Sequence, residues 1–412
     1  MRDFYGLVPA TPAILEAVSG ETAIPKTMLV GAGALGSAFA DYALRGGAKE
    51  LTVVDYDTFL PHNIARHRGL REHVWRSKID VLKTMASDRA QDVQIDDLEL
   101  QIGCGDLDEF SDKIKQQSQV IDATANVLVR RYLSSITQPS IPVMRSEIFN
   151  QGKLGVTLIT RLGDPQNLNY LFHYLVSLGH SNESIRNWLK YETSSSFLEE
   201  ELILGHGCRS LTTKIPAYKV DAHATAAFAA GKHHLPNLSE ALIAINEIGD
   251  DGIPLGSTLF QPDPVITFGK NADTAGWRII ASKSVVGKLH QQRKKAAPLE
   301  TGGYLFGAID EFLSEIYILA ISGEPPGTKA TETSLELGRW WQTGFEKSFI
   351  RRTQGRLPPI GTWHSHPTSS PRASTKDRKT VAAFVEEDAR KGLPTIMAIT
   401  GQDSDRIYVL GE

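Results

Sequence analysis

The chain of 412 residues has only two cysteines, Cys104 and Cys208. Two thiols build neither a disulfide framework nor a four-cysteine zinc site. Such sparse use of cysteine points to a reducing compartment. No apolar run approaches the roughly 18 residues that a membrane span needs. After Arg2 and Asp3 no long apolar core follows, so a signal peptide is not expected and the cytoplasm is the expected location. An excess of one charge is also missing. Lys and Arg number 44 against 48 Asp and Glu, a net −4, which points to neither nucleic acid nor a membrane surface as partner. There is no internal repeat and no low-complexity tract. The 41% hydrophobic and 22% charged fractions are those of an ordinary globular protein, and the length suits two domains.

Against this background the densest chemistry lies near the C-terminus. His364 and His366 flank Ser365, and Ser374 and Asp377 follow. The run Ile360 to His366 has strand composition, and side chains at i and i+2 of a strand share a face. Both imidazoles therefore reach one ion. Asp377 falls just before a helical pattern, Thr380 to Arg390, and a helix start beside a strand end can swing a carboxylate onto the same ion. Two histidines and one carboxylate leave a fourth zinc position open, as catalytic zinc requires. A water there falls from a pKa near 16 to roughly 7. Ser374 also reads as a helix N-cap, with Asp377 completing a variant of the capping box. Upstream, Glu300 precedes Thr-Gly-Gly-Tyr-Leu-Phe-Gly, a short strand whose glycines admit close backbone approach. A buried Glu beside such a centre is the expected general base.

The pattern of a Glu followed at a distance by His-x-His-x7-Ser-x2-Asp resembles the JAMM (MPN-type) zinc metalloprotease family, with no departure. The resemblance implies that His364, His366 and Asp377 bind Zn2+, that Glu300 is the base, and that Ser374 steadies the oxyanion. It also implies cleavage of the peptide or isopeptide bond after the C-terminal glycine of a ubiquitin-like protein.

The N-terminal half carries a second pattern, Met28-Leu-Val-Gly31-Ala-Gly33-Ala-Leu-Gly36. An apolar strand enters a glycine turn and then a helical stretch, Ala38 to Arg45. The next strand, Leu51 to Val54, ends at Asp55. Strand, glycine turn, helix and a subsequent acid meet the criteria for dinucleotide binding. A helix N-terminus is offered to phosphate and an acid to ribose. The residues beyond Asp55 suit a triphosphate better than a nicotinamide. Asn63, Arg66 and Lys78 come just past the acid, and Val120-Ile121 ends at Asp122, a carboxylate suited to Mg2+.

Residues 20 to 235 thus resemble the ThiF/MoeB and ubiquitin-activating (adenylating) family. The resemblance implies ATP bound at Gly31, Gly33 and Gly36, with Asp55 on the ribose, Asn63, Arg66 and Lys78 on the phosphates, and Asp122 on Mg2+. It implies adenylation of the C-terminal glycine of a ubiquitin-like protein, and a homodimer. Departures are Ala34 in place of a glycine, His67 where Gln is common, a close-set Lys78, and no Cys-x-x-Cys pairs. A dimer-crossing arginine has no clear counterpart beyond Arg2. Cys104, in Gln-Ile-Gly-Cys-Gly-Asp, reads as structural. Cys208, in a glycine-rich loop with His206, Arg209 and Lys214 near it, matches the family's thioester cysteine in position, and a buried inert thiol is equally open.

The expected fold class is α/β. A Rossmann-like adenylation domain with a mostly parallel sheet spans residues 1–247. A turn-rich linker occupies 248–264, and a JAMM (cytidine-deaminase-like) α/β domain 265–412. Residues 150–210 read as a variable part of the first domain. The helix from Ser282 to Lys295 ends on Arg293, Lys294 and Lys295, ordinary helix-dipole placement. The expected function is ATP-dependent activation of a ubiquitin-like protein combined with its zinc-dependent processing or deconjugation. A conjugating enzyme or a sulfur-transfer protein is the further partner. The alternatives are activation and maturation of a sulfur carrier, or a peptidase on a non-catalytic nucleotide-binding scaffold.

Overall fold

The computed structural model describes residues 9–103, 107–194, 201–203, 211–338, 344–389 and 393–410. The chain divides into two compact units. One holds Met1–Asn169 with Ser194–Gln261, the other Tyr170–Thr193 with Pro262–Glu412.

The first unit is built on an eight-stranded sheet. Its strands are β1 (Thr27–Val30), β2 (Glu50–Val54), β3 (Gln94–Leu98), β4 (Gln119–Asp122), β5 (Pro142–Phe149) and β6 (Leu154–Arg161). A small separate hairpin, β7 (Glu201–Ile203) and β8 (Leu211–Thr213), precedes β9 (Leu242–Ile248) and β10 (Pro254–Phe260). The order across the sheet is β10-β9-β6-β5-β4-β1-β2-β3. Strands β1 to β5 run parallel, while β6, β9 and β10 pair antiparallel. The central strands β1 and β2 are near-continuous apolar runs because both faces are covered there, whereas the edge strand β3 is polar and mostly exposed. β1 and β4 are buried at every position. The helices Ala34–Arg45 and Ala217–His234 supply Phe39, Leu44, Val220 and Ala224 to the core with Leu29, Val53 and Ile121.

The segment expected as a linker, 248–264, instead contains β10, an edge strand paired to β9. Its Gly-Asp-Asp-Gly signal marks the turn of that hairpin, where Gly252 N–H donates to Gly249 O at 3.0 Å. The boundary between units falls after Gln261.

The second unit contains β11 (Val265–Phe268), β12 (Arg278–Ser282), β13 (Gly302–Asp310), β14 (Glu315–Ile321), a small hairpin of β15 (Lys329–Ala330) and β16 (Leu335–Glu336), β17 (Pro359–Ser365), β18 (Thr395–Thr400) and β19 (Asp405–Leu410). Its main sheet has the order β11-β12-β14-β13-β17-β18-β19. Ile279, Leu305, Ile318, Trp363 and Ile396 form its core with Val285 and Leu289 of the helix Lys283–Ala296.

Residues Tyr170–Thr193 belong to this unit although they come from the stretch expected as a variable part of the first domain. They form most of two helices, Leu168–Leu178 and Glu183–Thr193. Ile185, Trp188 and Leu189 are fully buried. The Tyr170 and His173 rings lie 6.0 and 5.3 Å from that of Tyr317 on β14. Arg352 donates to the His180 carbonyl at 2.7 Å. The apolar face of the pair therefore completes a layer of the C-terminal unit.

Candidate metal centre and candidate nucleotide site

β17 places His364 near its C-terminal end and His366 directly after it, on the same face of the sheet. His364 Nε2 and His366 Nε2 are 3.3 Å apart. Asp377, in the first turn of the helix Thr375–Ala389, places Oδ1 3.4 Å from His364 Nε2 and Oδ2 3.6 Å from His366 Nε2. A tetrahedral ion with bonds of about 2.0–2.1 Å separates its ligand atoms by about 3.3–3.4 Å. The three groups therefore fit zinc in both donor chemistry and spacing, and they are the one such cluster among the described residues. His366 Nδ1 lies 2.9 Å from the Ser370 carbonyl. That acceptor fixes the proton on Nδ1 and leaves the Nε2 lone pair for a metal.

Ser374 caps the helix as its position suggests. Asp377 N–H donates to Ser374 Oγ at 3.1 Å, and Ser374 N–H donates to Asp377 Oδ2 at 2.7 Å. One reciprocal pair thus starts the helix and aims the carboxylate. Burial would raise the Asp377 pKa, but hydrogen bonds from His364, His366 and Ser374 hold it well below the usual range. The hydrogen bond to Asp377 raises the pKa of His366.

Glu300 enters by sheet register. Gly302 pairs with His364, and Ser365 N–H donates to Thr301 O at 2.8 Å. Continuing that antiparallel register sets Glu300 opposite His366. Its carboxyl is buried, and burial raises its pKa against the opposing pull of His364 and His366. Gly302 is needed for the approach: a Cβ there would stand 2.4 Å from the Trp363 carbonyl. A carboxylate with a raised pKa is the stronger base.

In the first unit the predicted residues gather at the C-terminal ends of β1, β2 and β4. β2 and β3 lie on one side of β1 and β4 on the other, so the chain order reverses between β1 and β4. Ligands of open α/β sheets bind at such a crevice. Gly31 has φ +92°, and a Cβ on Gly36 would stand 1.8 Å from the Gly31 carbonyl. Gly33 begins the helix Ala34–Arg45 with no side-chain cap, which leaves backbone N–H groups for an anion. Asp55 Oδ2 accepts from Ala32 N–H at 2.6 Å and Oδ1 from Asp57 N–H at 2.7 Å. Its carboxylate is therefore built into the glycine turn.

Asn63 Oδ1 accepts from Leu60 N–H at 2.8 Å, closing the turn that leads to Arg66. Lys78, first residue of the helix Lys78–Arg89, pairs with Asp57 at 2.7 Å. The pKa of His62 is lowered by partial burial and then by the charges of Arg66 and Lys78. These basic groups share one edge and suit phosphate. His67 fills the place where Gln is common. Its Nε2 lies 2.8 Å from the Ala32 carbonyl and its Nδ1 accepts from Gly69 N–H at 2.8 Å. Burial pushes its pKa down to about 4, so it is neutral at pH 7.

Asp122 sits at the predicted strand end but is fully buried. Oδ1 accepts from Thr124 N–H at 2.9 Å and Thr124 Oγ1 at 2.7 Å. Oδ2 is paired with Arg145, which is paired in turn with Glu147. In this arrangement Asp122 does not fit magnesium, because a guanidinium of the chain occupies the place a cation would take. Sequence reasoning missed Arg145 and Glu147. Their signal was two opposite charges at i and i+2 in an otherwise apolar strand. Cys104 and Cys208 lie outside the described residues, as does Arg2.

The comparisons with known proteins show the same division. The ThiF family matches residues 23–161, and the family of prokaryotic homologs of the JAB domain matches residues 282–409. A CD-NTase/cGAS isopeptidase of Enterobacter hormaechei subsp. hoffmannii (strain UCI 50) is 28% identical over 145 residues, which are 35% of this chain and 78% of that protein. Among solved structures, E. coli MccB with AMPCPP and MccA is 15% identical, with a TM-score of 0.40, over 60% of this chain and 66% of its own. PaaA is 16% identical, with a TM-score of 0.41, over 61% of this chain and 76% of its own. A ThiF-type adenylation domain implies ATP and magnesium as cofactors, and a JAB-type domain implies a metal. The chain is thus a ThiF-family domain at residues 23–161 joined to a prokaryotic JAB-type domain at residues 282–409.

Proposed function

We propose that this chain is an enzyme with two activities directed at one ubiquitin-like protein. The ThiF-type domain adenylates the modifier's C-terminal glycine. The JAB-type domain hydrolyses the peptide or isopeptide bond after that glycine, in a precursor or in a conjugate. The observation that carries the second activity is the cluster of His364, His366 and Asp377, spaced for tetrahedral zinc with buried Glu300 opposite His366. Zinc held there supplies a Lewis acid and lowers the pKa of water. Glu300 takes the proton of the attacking water and passes it to the leaving amine. The Ser374 hydroxyl, whose oxygen accepts in the cap, keeps its hydrogen to donate to the oxyanion.

For the first activity, the uncapped helix after Gly33, with Arg66 and Lys78, binds the phosphates of ATP, and Asp55 receives the ribose. Adenylation turns a poor electrophile into one with a good leaving group. No step is assigned to Asp122 while it is paired with Arg145.

The reading is tested on the purified chain with glycine-terminated ubiquitin-like proteins. Zinc content near one per chain, cleavage of a modifier extended past its glycine, and modifier-dependent ATP–pyrophosphate exchange are expected. Glu300→Gln abolishes cleavage, with zinc and exchange retained. If Glu300→Gln cleaves at the wild-type rate, the peptidase assignment is wrong. If no modifier supports exchange, the first domain is a scaffold. A thiol-sensitive modifier adduct lost in Cys208→Ala would assign a thioester to that cysteine.

A further inference from the structure

The helix Lys283–Ala296 ends on three basic residues, and the first of them is not a surface charge. Arg293 is 8% exposed. Its two terminal nitrogens donate to two carbonyls, Pro367 O at 3.2 Å and Gln402 O at 3.4 Å. No carboxylate among the described residues lies within ion-pair reach of it. A buried guanidinium held only by backbone carbonyls is unfavourable by itself, so its role is to be sought in what those carbonyls belong to.

Pro367 comes directly after His366. The segment it opens reaches Ser370, whose carbonyl accepts from His366 Nδ1. Gln402 lies in the turn between β18 and β19, beside Thr400, whose carbonyl accepts the His366 backbone N–H at 2.9 Å. The two loops press together at Gly401, where a Cβ would stand 2.7 Å from Pro371 Cδ. Arg293 bridges both loops from a third element. Its planar fork holds the two acceptors in fixed directions, where an ammonium is a compact charge on a flexible stem.

We propose that Arg293 is a positioning residue for the metal centre. It clamps the loop that carries the Ser370 carbonyl, and so holds the ring of His366 with its proton on Nδ1 and its Nε2 toward the ion. The inference rests on the zinc-peptidase reading above and goes beyond it by assigning a residue outside the family pattern. Partners of metal-ligating histidines typically contribute about 10- to 100-fold in metal affinity or activity.

The test compares wild type with Arg293→Met, close in volume without donors, and Arg293→Lys. Zinc release to a chromophoric chelator is monitored alongside kcat and KM for cleavage. Release from Arg293→Met is expected about 10- to 100-fold faster, with kcat reduced and KM changed less than about threefold. Arg293→Lys falls between, since an ammonium keeps the charge and the donors but not the rigid fork. In 15N spectra the His366 Nδ1–H signal should broaden or move in the Lys variant. A purely structural role would lower the melting temperature of both variants and leave zinc release and the His366 signal unchanged, which overturns the proposal. If Arg293→Met does not fold, the Lys variant's release rate and His366 signal decide. Failure of the zinc reading is separately visible, because wild type itself would then take up no zinc.

Discussion

At the scale of single residues, two buried groups of the first unit have consequences for stability. His67 is neutral and doubly hydrogen-bonded in the folded chain, with its pKa pushed down to about 4 from 6.5. As pH falls below 6.5 the unfolded chain takes up this proton first. The stabilisation is complete above pH 6.5, declines between 6.5 and about 4, and is flat below. At about 1.4 kcal/mol per unit, roughly 3 kcal/mol is lost across that window. In His67→Gln, which can meet the same two partners, urea unfolding should lose this part of the acid slope. Identical slopes in the two proteins would show that His67 does not titrate in this way. Asp122 is the other case. Removing it leaves the buried Arg145 with Glu147 alone, and breaking one partner of a buried pair costs up to about 3–5 kcal/mol. Asp122→Ala is therefore expected to unfold at markedly lower denaturant concentration, so its loss of pyrophosphate exchange would not by itself identify a metal ligand. A midpoint unchanged from wild type would contradict the burial of the pair.

Elements explain why some of the site was legible in advance. His364 and His366 share a face because strand side chains alternate, and Asp377 reaches them because a helix begins there. Ser374 unites the two roles expected of it only in part: the cap is present, and the oxyanion role is a proposal. The two separate experimentally, because Asp caps a helix about as well as Ser and, when ionised, has no hydrogen to donate. Ser374→Asp should keep the helix and lose kcat by about 100-fold or more. Ser374→Ala should also lose about 0.5–2 kcal/mol of helix stability. Full activity in Ser374→Asp would leave only the cap. The glycine turn was legible for a similar local reason, since Gly31 needs a positive φ and Gly36 close approach. The edge strand β10 was not. Its residues are exposed almost throughout, so neither alternation nor an apolar run betrays it.

Across the whole molecule, the boundary along the sequence is not the boundary in space. The helices within Tyr170–Thr193 come from the first half of the chain and pack in the C-terminal unit. Trp188 is fully buried there, and truncating such a side chain costs about 3–5 kcal/mol. Trp188→Ala should speed amide hydrogen exchange in β13, β14 and β17 and leave β1, β2 and β4 protected. Faster exchange in the first sheet instead would refute the assignment of these helices.

The sequence by itself determined the two domain types and nominated the candidate site residues. Both depend on local rules: side-chain period in a strand, glycine stereochemistry in a turn, and helix capping. Tertiary structure alone decided what depends on distant partners. It closed Asp122 against Arg145, moved residues 170–193 into the second unit, made β10 a strand of the sheet, and turned Arg293 from a helix-end charge into a clamp on two loops. A buried charge and a packed helix are selected by their neighbours in space, and no spacing along the chain records who those neighbours are.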